Sequence, residues 1–175
     1  AQMLQSKTLN IRTENGVCYI TFPALEQCGI KHAFTTRIGG VSKGIYSSMN
    51  MSFSRGDDAA DVTENYRRIC EIIGTDYRRC VLSKQTHTTN IRIVTESDAG
   101  KGIICERDFD DTDGLITDVP GITLVTQFAD CTGLLFCDPK KRVIAASHAG
   151  WRGTAGEIGR LTVEKMHDSF GCDPG

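Results

Sequence analysis

Two histidines and a cysteine carry most of the chemical potential of this chain. His87 lies in "KQTHTTN", Cys131 in "QFADCTG" and His148 in "AASHAGWRG". Two imidazoles and one thiolate match a three-ligand zinc site that keeps its fourth position open. Zinc held that way lowers the pKa of its water from about 15.7 to about 7. The same trio with a weak axial methionine describes a copper site, for which Met49, Met51 and Met166 are available. A third chemistry needs no metal: Cys131 as nucleophile, His148 as its base, and Asp130 or Asp113 to orient the imidazole. Each residue also has a plain structural reading, Cys131 as a small buried hydrophobe and His148 as a satisfied histidine at a strand end. His87 reads as an ordinary loop residue, Cys137 as core, and His32 and His167 as surface. Spacing alone leaves these readings open.

Around His148 the residue types are unusual for a turn. Arg152 and Arg37 stand near glycines, a setting that suits phosphate because a guanidinium offers a fork of donors and glycine lets backbone N–H groups approach an anion. A surface ion pair is the commoner fate of an arginine. Trp151 is expected to anchor the following helix by burying its ring, or else to stack on a base.

These residues must be positioned by elements, and the patterning predicts which. "LNIRTENGVCYITF" alternates on both sides of Asn15-Gly16, the strongest short-range hairpin signal. "HAFTTR" reads as a short strand, and "IGGVSKGIYSSMNMS" as a loop long enough to be functional. "GDDAADVTENYRRICEIIG" places Val62, Tyr66, Ile69, Cys70 and Ile73 on one helical face, with Asp58 as cap. "CVLSKQTHTTNIRIV" reads as strand, loop and strand, with Gln85 and His87 in the connection. "GITLVTQFADCTGLLFCD" suggests buried strands broken near Asp130 and Cys131, and "RVIAASHAG" a further buried strand. "GTAGEIGRLTVEKMHDSF" returns to a helical period through Ile158, Leu161, Val163 and Met166.

The 175 residues favour one domain, and no linker, repeat or low-complexity tract marks a boundary. A formal charge of −2 gives no basic excess of the kind nucleic-acid binding usually requires. No apolar run is long enough to span a bilayer, and the N-terminal segment lacks an apolar signal. Eight scattered cysteines without a CxxC pair predict reduced thiols and a cytoplasmic protein.

Four stretches in this order, "FTTRIGGVSKGIYSSMNMS", "QTH", "DGLITDVPGITLVTQFADC" and "SHAGWRGTAGEI", resemble the motifs of the YfiH/YlmD-like family of purine nucleoside phosphorylases, long labelled polyphenol oxidase or laccase-domain. The resemblance runs from Ala33 to Ile158 and implies an α+β fold, mixed sheets with flanking helices in a single compact domain over residues 1–175. It implies zinc bound by His87, Cys131 and His148. It also implies phosphorolysis of adenosine, inosine, guanosine and methylthioadenosine, and deamination of adenosine. Arg37, Asn50 and Arg152 fall where the family has pocket residues, and Asp130 is the candidate for proton transfer. The implied partners are a purine nucleoside and phosphate, without nucleic acid or membrane; the oligomeric state stays open. Gly133 stands where many relatives have proline. A later family segment with a Gly-Pro and a Cys-Tyr pair has no counterpart, so the chain is expected to be C-terminally truncated. The alternatives are a copper-dependent polyphenol oxidase, for which four histidines are few, and a metal-free Cys-His hydrolase or nucleoside-binding module.

Overall fold

The structure is a computed structural model that describes residues 6–174. The first five residues of the N-terminal segment read above for signal character lie outside the described residues. Contacts group the chain into two compact units that meet in sequence between Tyr77 and Arg78, where the composition shows no linker.

In the first unit, β1 (Asn10–Glu14) and β2 (Val17–Thr21) pair antiparallel around Asn15 and Gly16, whose φ values of 49° and 81° are those of a tight hairpin turn. β2 buries Val17, Tyr19 and Thr21 in strict alternation. The "HAFTTR" strand shrinks to β3 (Phe34–Thr35) against β2. A short helix, α1 (Pro23–Gln27), escapes the patterning, although Pro23 at its first turn is a recognised start signal. The predicted long helix is α2 (Ala59–Ile73). Asp58 caps it by accepting the Ala60 N–H at 2.8 Å, and Gly74 ends it in a left-handed conformation.

α2 buries Val62, Tyr66, Ile69 and Cys70 as the spacing predicts, and also Asn65. That amide serves the loop read as "IGGVSKGIYSSMNMS", which is irregular apart from a single 3-10 turn at Gly44–Tyr46. Asn65 Oδ1 accepts the Val41 N–H at 2.8 Å, and its Nδ2 donates to Ser42 Oγ at 3.0 Å and to the Asn50 carbonyl at 2.8 Å. A buried polar side chain thus replaces the ladder that the loop backbone lacks.

The second unit holds the histidine–cysteine trio. β4 (Cys80–Leu82) runs parallel to β7 (Thr123–Val125). A four-stranded mixed sheet has the order β5 (Ile91–Ile93), β6 (Gly114–Thr117), β9 (Val143–Ala149), β8 (Thr132–Asp138). β5 and β6 are parallel; β9 is antiparallel to both β6 and β8. β6 is buried throughout, with Leu115 packed among Val81, Val94 and Ile122 on one face. Ile116 packs with Val143, Ala145, Met166 and Cys172 on the other, against α4 (Ile158–Phe170).

The surroundings of β8 and of the last helix depart from the patterning. β8 is not a buried strand: it is an edge, paired only with β9 among the described residues, so Leu135 is 39% exposed. Cys137 is accordingly half-buried rather than core. The last helical stretch begins earlier than its glycines suggested, at α3 (Trp151–Ala155), and breaks at Gly156–Glu157, where Glu157 is left-handed with φ 60°. α4 buries Ile158, Thr162 and Met166, while Leu161 and Val163 are only half-buried. Thr162 is tolerated inside because its hydroxyl bonds the Ile158 carbonyl at 2.7 Å and Ser147 Oγ at 2.8 Å. No helix among the described residues is long and apolar enough to cross a membrane.

Candidate metal centre

The sheet topology brings distant residues together. β5 and β6 both start at one end of the sheet, β9 finishes there, and β8, antiparallel to β9, starts there again. The loop before β5 carries His87, the residue before β6 is Asp113, the residue before β8 is Cys131, and β9 nearly ends on His148. Gly133 of β8 lies opposite His148, and the His148 N–H donates to the Asp113 carbonyl at 2.7 Å.

The candidate ligand atoms of His87, Cys131 and His148 all lie within 4.8 Å of one another. Cys131 Sγ is 3.9 Å from His87 Nε2, and the two imidazoles meet edge to face with centroids 5.0 Å apart. A tetrahedral zinc with Zn–N and Zn–S distances of about 2.0–2.3 Å sets its ligand atoms roughly 3.3–3.6 Å apart. Small side-chain rotations therefore complete the set, and the donor types fit. His87 is exposed, Cys131 half-buried and His148 buried, so the group opens to solvent on one side.

Neighbouring side chains fix each member. Gln85 clamps the His87 loop to the Cys131 loop: its Oε1 accepts the Gln127 N–H and its Nε2 donates to the Gln127 carbonyl, both at 2.7 Å. His148 Nδ1 lies 2.8 Å from Asp113 Oδ1, which leaves Nε2 for ligation. Phe128 stacks on the His148 ring with centroids 5.7 Å apart. Gly133 makes room for that phenyl ring, since a Cβ there would stand 2.8 Å from it. Gly150 makes room for the trio itself: a Cβ would sit 2.7 Å from His87 Cδ2 and 3.3 Å from Cys131 Sγ.

Burial works to raise the Asp113 carboxyl, but the Thr86 and Thr88 N–H groups, the His148 ring and the Thr88 hydroxyl outweigh it and hold the group below the usual carboxylate range. Burial first, then the Asp130 and Asp113 carboxylates, push the Cys131 thiol up. An activated cysteine nucleophile needs the opposite shift. The thiol moreover stands 3.9 Å from His87 Nε2, an imidazole the metal-free reading does not use.

Asp130, the candidate for proton transfer, is exposed and accepts the Cys131 thiol at 3.6 Å. Arg152 is exposed on α3, with its guanidinium 5.3 Å from the Trp151 ring centre. Trp151 does not anchor the helix: it is 75% exposed, because the first turn of α3 turns it outward while Gly153 takes the buried position. Arg37 and Asn50 belong to the first unit. Arg37 donates to the Ser47 carbonyl at 2.9 Å, and Asn50 Nδ2 donates to Asp57 Oδ2 at 2.9 Å. Met166, one of the axial copper candidates, is a buried residue of α4 that packs in the core with Ile116, Val143, Ala145 and Cys172. Gln85, Phe128 and Gly150 carry roles the motifs did not assign, and Asp113 rather than Asp130 is the partner of His148. For Gln85, Phe128 and Gly150 the only sequence signal was closeness along the chain to His87, Cys131 or His148, whereas Asp113 was one of the two carboxylates considered for orienting His148.

The fold and this cluster define an α+β protein with a two-histidine, one-cysteine candidate metal centre at one end of a mixed sheet. The profile of a family described as multi-copper polyphenol oxidoreductase laccase matches residues 31–175. Purine nucleoside phosphorylase YlmD of Bacillus subtilis is 37% identical over 145 residues, covering 81% of this chain and 51% of the relative. The protein of the same name from Geobacillus stearothermophilus is 42% identical over 134 residues, covering 74% and 48%. The crystal structure of a hypothetical protein YfiH of Bacillus licheniformis superposes with a TM-score of 0.84 at 31% identity, over 94% of this chain and 61% of that one. The chain belongs to the YfiH/YlmD family, the former laccase-domain proteins. It spans about half the length of the curated relatives it matches.

Proposed function

We propose that this chain carries the zinc centre of an enzyme of purine nucleoside metabolism, which phosphorolyses adenosine, inosine, guanosine and methylthioadenosine and deaminates adenosine. The observation that carries the reading is the convergence of His87, Cys131 and His148 within 4.8 Å at one sheet end, in a chain related to proteins named purine nucleoside phosphorylases. Zinc bound there supplies Lewis acidity at an open position.

The chain's own residues do the rest. Asp113 holds the His148 ring so that Nε2 faces the ligand position. Asp130, exposed beside Cys131, is the proposed carrier of the proton that moves to or from the purine during deamination. Arg152, exposed and without a salt bridge among the described residues, is offered to phosphate, whose oxygen displaces the base from the ribose carbon. Arg37 and Asn50 are proposed as further phosphate and sugar contacts on the family resemblance alone. A reducing, cytoplasmic setting suits a centre built on a thiolate.

Metal analysis of full-length protein purified without added metal is expected to find zinc. Incubation with adenosine and phosphate, followed by separation of bases and nucleosides, is expected to yield adenine and inosine. Copper bound in its place, with a thiolate charge-transfer band, overturns the zinc assignment in favour of an oxidase centre. If the metal-loaded protein produces no adenine, hypoxanthine or inosine, the nucleoside reading gives way to a binding module. Cys131→Ala is expected to lose bound metal and turnover together, as measured by metal content and product formation.

A further inference from the structure

Three successive backbone N–H groups, those of Thr86, His87 and Thr88, point at a single carboxylate, at 3.0, 3.1 and 3.0 Å. In the interior of a helix or in a strand, consecutive N–H groups are committed to other partners and do not aim at one spot. In this loop the convergence goes with a left-handed residue in the run, His87 with φ 67°, the backbone geometry of an anion-binding concavity. Such a concavity ordinarily collects an anion from solution. Here the chain provides the anion, the fully buried side chain of Asp113.

The same carboxylate reaches the second histidine. Asp113 Oδ1 lies 2.8 Å from His148 Nδ1 while also accepting the His87 N–H, and Oδ2 takes the Thr86 and Thr88 N–H groups and the Thr88 hydroxyl at 3.2 Å. The proton on His148 is thereby placed on Nδ1 and Nε2 is left bare. His87 is held through its backbone, in a conformation that its side chain must share to reach the cluster.

Building on the metal reading above, we propose that Asp113 is the positioning residue for both histidine ligands: it fixes the tautomer of one and the backbone of the other, and so sets the metal affinity of the centre. An amide cannot replace it. In Asp113→Asn, an NH2 in the place of Oδ2 would meet the Thr86 and Thr88 donors. In the place of Oδ1 it would meet the His87 N–H and drive the His148 proton to Nε2, the ligating nitrogen.

The test uses the whole protein and Asp113→Asn, each titrated with zinc(II) and cobalt(II) in competition with a chelator. In parallel, long-range 15N–1H correlations at pH 8 report the His148 tautomer in the metal-free state. The unaltered protein is expected to show the Nδ1–H tautomer. Asp113→Asn is expected to bind metal about 10–100-fold more weakly, with a shifted cobalt spectrum and a move toward the Nε2–H tautomer. A merely structural Asp113 would lower the unfolding midpoint and leave the tautomer and the affinity of the folded protein unchanged; that result overturns the proposal. So does an Nε2–H tautomer in the unaltered protein, which requires no variant to fold. If the unaltered protein binds neither ion, the metal reading itself fails, and the affinity claim falls with it whatever the tautomer.

Discussion

Gly150 shows how a residue without a side chain can be part of a site. It follows His148 by two positions, and its φ of −71° is ordinary for any residue, so backbone freedom is not what makes it glycine. Space is: a single methyl would stand 2.7 Å from the His87 ring and 3.3 Å from the Cys131 sulfur, both of which would have to give way. Gly150→Ala is therefore expected to weaken metal binding at least as much as it weakens the fold. Chelator competition and thermal unfolding, run side by side, check this; unaltered metal affinity in Gly150→Ala would show that the rings have room. Trp151, by contrast, lies 75% exposed one residue further on, so the conspicuous residue of "HAGWRG" does no packing work while the inconspicuous one does.

At the scale of elements, loops in both units are ordered by side-chain amides that act as substitute backbone. Gln85 pairs with both backbone groups of Gln127, as a neighbouring strand would, and joins the two loops that carry His87 and Cys131. In the first unit Asn65 does the same for the loop from Val41 to Asn50, from a fully buried position on α2. Asn65→Ala removes its donors and acceptor together and leaves buried polar groups without their partner. A loss of about 2–3 kcal/mol is expected, read by denaturant unfolding, with faster hydrogen exchange of the Val41 amide as the local signature. Helix periodicity marks position 65 as inward-facing, but not that a polar residue there is bound to a loop.

For the molecule as a whole, acid stability is expected to reflect buried carboxylates, and Asp98 is the clearest. Its side chain is 0% exposed and bonds Lys101 and Arg92, each at 2.8 Å. Burial works to raise its pKa, but Lys101, the Thr95 N–H and Arg92 outweigh it and hold the group at about 2. Because the folded value lies below the unfolded one, near 3.9, the contribution of about 2 kcal/mol is fully present above roughly pH 5 and is lost as the pH falls toward 2. Asp98→Asn should be less stable at neutral pH and show a flatter decline in that window. Denaturant midpoints from pH 7 to pH 2 measure it; parallel curves for the two proteins would rule Asp98 out as the source.

The sequence by itself determined what is local: the Asn15-Gly16 hairpin, the capped helix from Ala59 to Ile73, the buried strand that carries His148, and the strand break that holds Asp130 and Cys131. These depend on turn geometry, capping and periodicity, which act over a few residues. It also offered the three candidate ligand types, from several possible chemistries, and the motif resemblance singled out His87, Cys131 and His148, which the fold brings within 4.8 Å. Tertiary structure alone decided that β8 is an edge, that Trp151 faces solvent, and that Asp113 rather than Asp130 holds His148. The physical reason is that strand order and direction, not spacing, choose which loop ends share one end of a sheet. A carboxylate, an amide or a glycine acquires its role from the neighbours that arrangement supplies.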